Sequence, residues 1–142
     1  LIADETNSRR KARPTIFLVE EDDDARPSLT SNLRSQGYRV LVAAGLEDAH
    51  EWVSGESPIQ ADLVLINLVG KTPEESVRLG RELREHAKYD GHTPLVVMPE
   101  KVPRELEGTD VKVSGNDWIC YYDEDSNQLR TLLARLLNKL SS

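Results

Sequence analysis

A chain of 142 residues is long enough for one domain with a single buried core and too short for two. Hydrophobic residues make up 38% and charged residues 30%, and the apolar ones fall in regular clusters, which excludes disorder of the whole chain. With 25 acidic against 18 basic residues the formal net charge is -7, which repels a phosphate backbone and argues against nucleic-acid binding by this segment.

Residues 1–14 are polar and aperiodic and carry the basic cluster Arg9, Arg10, Lys11 and Arg13; they read as a linker or tail ahead of a domain at 15–140. Ile16 to Val19 has the length and composition of a buried strand, and it stops at five consecutive carboxylates, Glu20 to Asp24. A helix is predicted from about Arg26 to Gln36, with Leu29 and Leu33 on one face and Gly37 as its stop. Tyr38 to Ala43 is the second strand, and Leu46 to Val53 a second helix ended by Gly55. Leu63 to Ile66 is the third strand. Pro73 suits the first turn of a helix whose apolar face is Val77, Leu79, Leu83 and Ala87. Leu95 to Met98 is the fourth strand. Between Glu100 and Gly115, Pro103 and Gly108 leave room for only a short helix. Trp118 to Tyr121 is the fifth strand, and Asp125 or Ser126 is expected to cap a last helix with Leu129, Leu132, Leu133, Leu136, Leu137 and Leu140 as its stripe.

Five strands alternating with helices over short connections imply a flavodoxin-like, doubly wound α/β domain. Its five-stranded parallel sheet has the order 2-1-3-4-5, with helices on both faces. Ligands in such a fold sit beyond the carboxyl ends of the first and third strands, so chemistry is sought there. The lone Cys120 excludes an internal disulfide and reads as core; His50, His86 and His92 read as surface residues without partners. No apolar run approaches the ~20 residues of a membrane span, and a cytoplasmic setting is expected. The chain begins at Leu1 with Met98 as its only methionine, which we read as a piece of a longer protein, so that any output domain is expected outside it.

Four segments in order, Thr15-Ile16-Phe17-Leu18-Val19-Glu20-Glu21-Asp22, Ala61 to Leu68, Thr93 to Met98 and Asn116 to Ile119, resemble the receiver domain of bacterial two-component response regulators. The resemblance implies phosphotransfer from a histidine kinase to an aspartate at the end of the third strand. It also implies two acids for Mg²⁺, a hydroxyl after the fourth strand and a lysine after the fifth. On that alignment the acids are Glu20 and Glu21, the phosphoacceptor position is Asn67, the hydroxyl position is Pro99, the lysine position is Tyr121, and the switch aromatic is Trp118. An amide is a poor nucleophile, proline has neither hydroxyl nor N–H, and tyrosine carries no positive charge, so no catalytic residue or enzymatic activity is expected. A weak remnant metal site for Mg²⁺ on Glu20, Glu21 and the Asn67 oxygen is expected at most, with no other cofactor. Lys71, in the loop after Asn67, is a possible substitute cation.

The sequence thus points to a degenerate pseudo-receiver of a phosphorelay acting as a phosphorylation-independent protein-interaction module. Its partner is a separate protein or an attached output domain, with a homodimer through the last helix as a further possibility and no membrane contact. Phosphorylation at another acid such as Asp22 or Asp23 is the alternative. A nucleotide-binding flavodoxin-like protein ranks last, since no glycine-rich turn follows the first strand.

Overall fold

The structure, a computed structural model, describes residues 13–123 and 127–141, with side chains in the last helix to residue 138. The elements follow one another as β1 (Thr15–Glu20), α1 (Arg26–Ser35), β2 (Arg39–Ala43), α2 (Leu46–Val53), β3 (Leu63–Asn67) and α3 (Pro73–His86). They continue as β4 (Leu95–Val97), a one-turn 3₁₀ helix (Arg104–Leu106), β5 (Thr109–Ser114), β6 (Asp117–Tyr121) and α4 (Asn127–Ser141). The expected tail and the Asp125 or Ser126 cap lie largely or wholly outside the described residues.

Strand alternation divides the core. Phe17, Val19, Val64, Ile66, Leu95, Val97 and Ile119 face α2 and α3. Ile16, Leu18, Leu63, Leu65, Val96 and Cys120 face Leu33 of α1 and Leu132, Leu133 and Leu136 of α4. Such two-sided burial is what continuous apolar runs predict for strands inside a parallel sheet. The parallel strands have the expected order, β2-β1-β3-β4-β6, and the flavodoxin-like class stands.

One expectation is corrected. The sheet has six strands, because Thr109 to Ser114 forms β5, antiparallel to β6 at the outer edge, where only a short helix had been expected. The reason is local. Pro103 limits helix to one turn, and Thr109, Val111 and Val113 alternate with Asp110, Lys112 and Ser114 at strand period, ahead of a turn at Gly115 and Asn116. The alternation is easily missed because β5 is largely exposed and lacks a buried apolar face.

Helix α3 is fixed most firmly. Thr72 and Glu75 form a reciprocal capping box, with both hydrogen bonds at 3.1 Å, and Pro73 occupies the first turn. At Gly80 the helix approaches the sheet so closely that a Cβ would lie 2.7 Å from Leu95 Cδ1. Five leucines of the α4 stripe, Leu129, Leu132, Leu133, Leu136 and Leu137, are buried within the chain's own core, so the described part of the stripe closes the domain.

Candidate functional site

Strands β1 and β3 run side by side in parallel with Glu20 opposite Asn67, so both residues emerge at the carboxyl edge of the sheet. The Glu21 N–H donates to the Asn67 carbonyl at 3.1 Å and extends that ladder by one step. Glu20 is 1% exposed. Burial pushes its carboxyl above the usual carboxylate range, against the hydrogen bonds from the Asp22 N–H and the Asn67 amide, and the nearby Asp22 charge adds to the rise. Desolvation outweighs these hydrogen bonds and the smaller pull of Arg26, since among the described residues no basic side chain pairs with the carboxylate. The Arg26 guanidinium donates instead to the Glu20 backbone carbonyl at 2.8 Å and pairs with Asp23 at 2.5 Å.

Each acid is already occupied. Glu20 Oε1 accepts from Asn67 Nδ2 at 3.1 Å and Oε2 from the Asp22 N–H at 3.2 Å. Glu21 Oε1 accepts from the Val69 N–H at 2.8 Å, which ties the β1 end to the loop after β3. Asp22 Oδ1 accepts from the Asp24 N–H at 2.9 Å and organises the approach to α1. The Asn67 amide places its nitrogen toward Glu20, and its Oδ1 is buried without a hydrogen-bond partner. Mg²⁺ requires an octahedral set of free oxygens. Four of these oxygens already accept from N–H groups, and among the described residues no group of three His, Cys, Asp or Glu side chains that could hold a metal occurs, so the arrangement offers Mg²⁺ no ready-made octahedral set.

Beside the pair lies a cleft of about 330 Å³ whose lining includes Glu20, Asp22, Asn67, Met98, Glu100 and Tyr122 and contains no lysine or arginine. Of the sequence-derived positions, Glu20, Glu21 and Asn67 come together here. The other three do not join them. Pro99 lines a neighbouring cavity of about 360 Å³ with Gly70, Lys71, Thr72 and Lys101. Tyr121 is buried in the core on the α3 side, and its carbonyl accepts from the Gly108 N–H at 2.8 Å. Trp118 lies on the α4 side, with the Lys112 ammonium 6.0 Å and the Arg135 guanidinium 5.1 Å from its ring centroid.

Met98, Glu100 and Tyr122 were not singled out from sequence. Tyr122 has its phenol pushed up by burial, then by the charges of Glu20, Cys120 and Glu100. Glu100 Oε1 accepts from the Gly70 N–H at 3.3 Å and stands on the border of the two cavities. A strand ending between two tyrosines leaves no sequence signal for which ring enters the cleft. Lys71 does not supply a cation: it is exposed, its charge acts on Glu75 in the first turn of α3, and it forms no ion pair among the described residues. Cys120 is a buried free thiol pushed up to about 12 by burial and then by Asp110, an inert core residue.

The histidines need a second correction. His50 on α2 and His86 at the end of α3 are partners, with Nδ1 to Nδ1 at 2.7 Å and stacked rings 4.9 Å apart. They lie 36 positions apart in sequence, beyond the reach of local spacing.

No protein-family profile and no curated protein sequence matches the chain. Its fold has clear counterparts among solved structures. It is similar to a response regulator receiver protein from Sinorhizobium medicae, with TM-score 0.64 and 21% identity over 89% of this chain and 95% of that one. It is equally similar to the N-terminal domain of a response regulator/sensory box/GGDEF three-domain protein from Carboxydothermus hydrogenoformans, with TM-score 0.63 and 20% identity over 89% and 95%. A third counterpart is the receiver domain of a Pseudomonas aeruginosa sensor histidine kinase, with TM-score 0.61 and 20% identity over 89% and 98%; that protein holds a magnesium ion in its active site cleft. The fold is therefore the one seen in response regulator receiver domains.

Proposed function

We propose that this receiver-fold domain is a non-enzymatic module of two-component signalling that works by protein contact, without accepting phosphate. The observation that carries this reading is the hydrogen bond from the Asn67 amide to the buried Glu20 carboxylate. A carboxylate at position 67 would be a nucleophile held beside two further acids and would need a bound cation to offset their repulsion. An amide there donates to Glu20 directly and removes one negative charge from the cluster.

The surroundings support the same reading. Among the described residues the cleft lining holds three carboxylates, Glu20, Asp22 and Glu100, beside neutral polar groups such as Ser28, Asn32 and Tyr122 and no basic side chain, so a phosphoryl dianion would meet no cation to offset that negative charge. Pro99 supplies neither hydroxyl nor N–H after β4. The partner is an attached output domain or a separate protein.

Acetyl phosphate with Mg²⁺, followed by intact-mass and peptide mass spectrometry, tests the reading. The expected result is an unmodified chain, together with amide NMR spectra unchanged by beryllofluoride. A phosphoryl adduct on Asp22, Asp23 or any other side chain would overturn it and favour phosphorylation at a non-standard acid. Calorimetry with millimolar Mg²⁺ is expected to show no binding heat.

A further inference from the structure

We infer that the exposed edge of β5 pairs antiparallel with the same strand of a second copy of the chain, joining two six-stranded sheets into one. An edge strand presents unpaired backbone N–H and C=O groups on its outer side, and β5 is the last strand of the sheet. It also leaves Val111 38% and Val113 43% exposed on its α3-facing side. The chain itself covers a little over half of each valine and leaves the rest open.

The sequence of the strand selects the occupant. Thr109-Asp110-Val111-Lys112-Val113 is self-complementary when it pairs antiparallel about Val111. Asp110 then lies opposite Lys112 of the second copy on both sides of the dyad and Val111 opposite Val111, all within the regular stretch from Thr109 to Lys112 that precedes the bulge between Lys112 and Ser114. A lysine in the middle of an edge strand usually deters pairing with an arbitrary strand. Here it deters strangers and admits a copy of itself, because only the antiparallel copy sets an aspartate against it. Both charges sit on the α4 side of the sheet. Asp110 Oδ1 accepts from Gln128 Nε2 at 2.8 Å, and Lys112 makes no ion pair among the described residues and lies over Trp118.

The hairpin is braced from behind, which lowers the ordering cost of association. The buried carboxylate of Asp117, at the start of β6, accepts from Arg81 Nε at 2.6 Å and Arg84 Nη1 at 2.6 Å. Arg81 Nη2 also donates to Ser114 Oγ at 2.6 Å. Helix α3 thus clamps both ends of the turn that joins β5 to β6. The contact would be one strand wide, well short of the ~1,000 Å² of a persistent interface, so a reversible, concentration-dependent dimer is expected. Self-pairing of β5 is independent of whether residue 67 can accept phosphate, and neither result bears on the other.

Sedimentation velocity of the wild-type chain over a concentration series up to the millimolar range tests this. The expected result is a monomer–dimer equilibrium that Asp110→Lys and Lys112→Asp each weaken at least tenfold, since each sets like charges face to face. An equimolar mixture of the two variants is then expected to dimerise more tightly than either alone, because one copy carries two lysines and the other two aspartates. Circular dichroism melts establish that both variants are folded. A wild-type chain that stays monomeric, a dimer indifferent to both substitutions, or variants that fail to complement on mixing would each overturn the inference.

Discussion

Replacing Asn67 by aspartate is the most informative single change. It restores a carboxylate at the end of β3 with almost no change in volume, and it turns a donor 3.1 Å from Glu20 Oε1 into a second acceptor. The lost hydrogen bond to a charged group is worth about 1.5–3 kcal/mol. Two unit charges about 3 Å apart repel by roughly 5 kcal/mol at an effective dielectric of 20, an upper bound because the pair relieves itself by binding one proton. We expect Asn67→Asp to cost about 3 kcal/mol at neutral pH, a fall in Tm of roughly 10 °C for a chain of this size. The sign of the pH dependence follows from Glu20, whose carboxyl is already raised by burial and would be raised further. A folded-state pKa above the unfolded one means that the folded state binds more protons, so the penalty is small near pH 4 and grows as pH rises through the raised value. Thermal or urea melts of both proteins between pH 4 and 8 measure this directly. Equal stability at neutral pH, without added metal, would refute the claim that the Asn67 amide holds the acid cluster together.

Glu20→Gln is expected to change stability by less than about 1 kcal/mol at neutral pH, because removal of a buried charge is offset by the loss of Oε2 as acceptor for the Asp22 N–H; a larger loss in urea melts would show that the two-acceptor carboxylate is required. Asp117→Ala strands Arg84, whose side chain is only 15% exposed, and should cost about 3 kcal/mol by chemical denaturation. Gly80→Ala gains ~1 kcal/mol of helix propensity, yet its methyl would meet Leu95 and Ile66 in a fully packed core, so a net loss of about 1 kcal/mol is expected in melts. His50 has its pKa lowered by burial and then by His86, with Glu82 opposing. Stability tied to the pair is therefore complete above the ordinary histidine value of 6.5 and lost as pH falls through the lower folded value, and His86→Gln should flatten that slope in melts between pH 5 and 8.

The parallel sheet was legible in the sequence because its signals are local and strong. Ile16 to Val19 and Leu63 to Ile66 admit little besides strand, and Gly37, at φ +97°, marks the end of α1 because the left-handed region favours glycine. The acid pair and Asn67 could be placed because parallel register brings strand ends to one level. What stayed hidden depends on long-range contact. Strand β5 has alternation but little burial, so its identity rests on the ladder with β6. The β4–β6 register stops at Val97 and Ile119, so it does not decide which side chains beyond the strand ends line the cleft, and Met98 and Tyr122 do. Likewise the Asp117 clamp joins residues from α3 and β6 that no spacing rule connects.

A conformational switch needs an element with two arrangements of similar free energy and a ligand that discriminates between them. The resemblance to receiver domains implies a switch in which the aromatic at the Trp118 position turns inward as a hydroxyl residue after the fourth strand moves. Each piece of that route is pinned in this chain. The acids at the sheet edge are satisfied by Asn67 and backbone amides, Pro99 offers no group to a phosphoryl oxygen, and Trp118 lies between two cations. The segment after β4 is tied into the sheet as β5, and Arg81 holds its end to Ser114. Moving β5 would break an antiparallel ladder and the Arg81–Ser114 hydrogen bond together, which a sub-ångström shift at the cleft cannot drive. The same pinning leaves β5 as a rigid edge with a fixed pattern of charge and apolar surface. A surface with one conformation is regulated by how much of the chain and its partner is present, so on the proposed reading protein concentration takes the place that phosphate holds elsewhere in the fold.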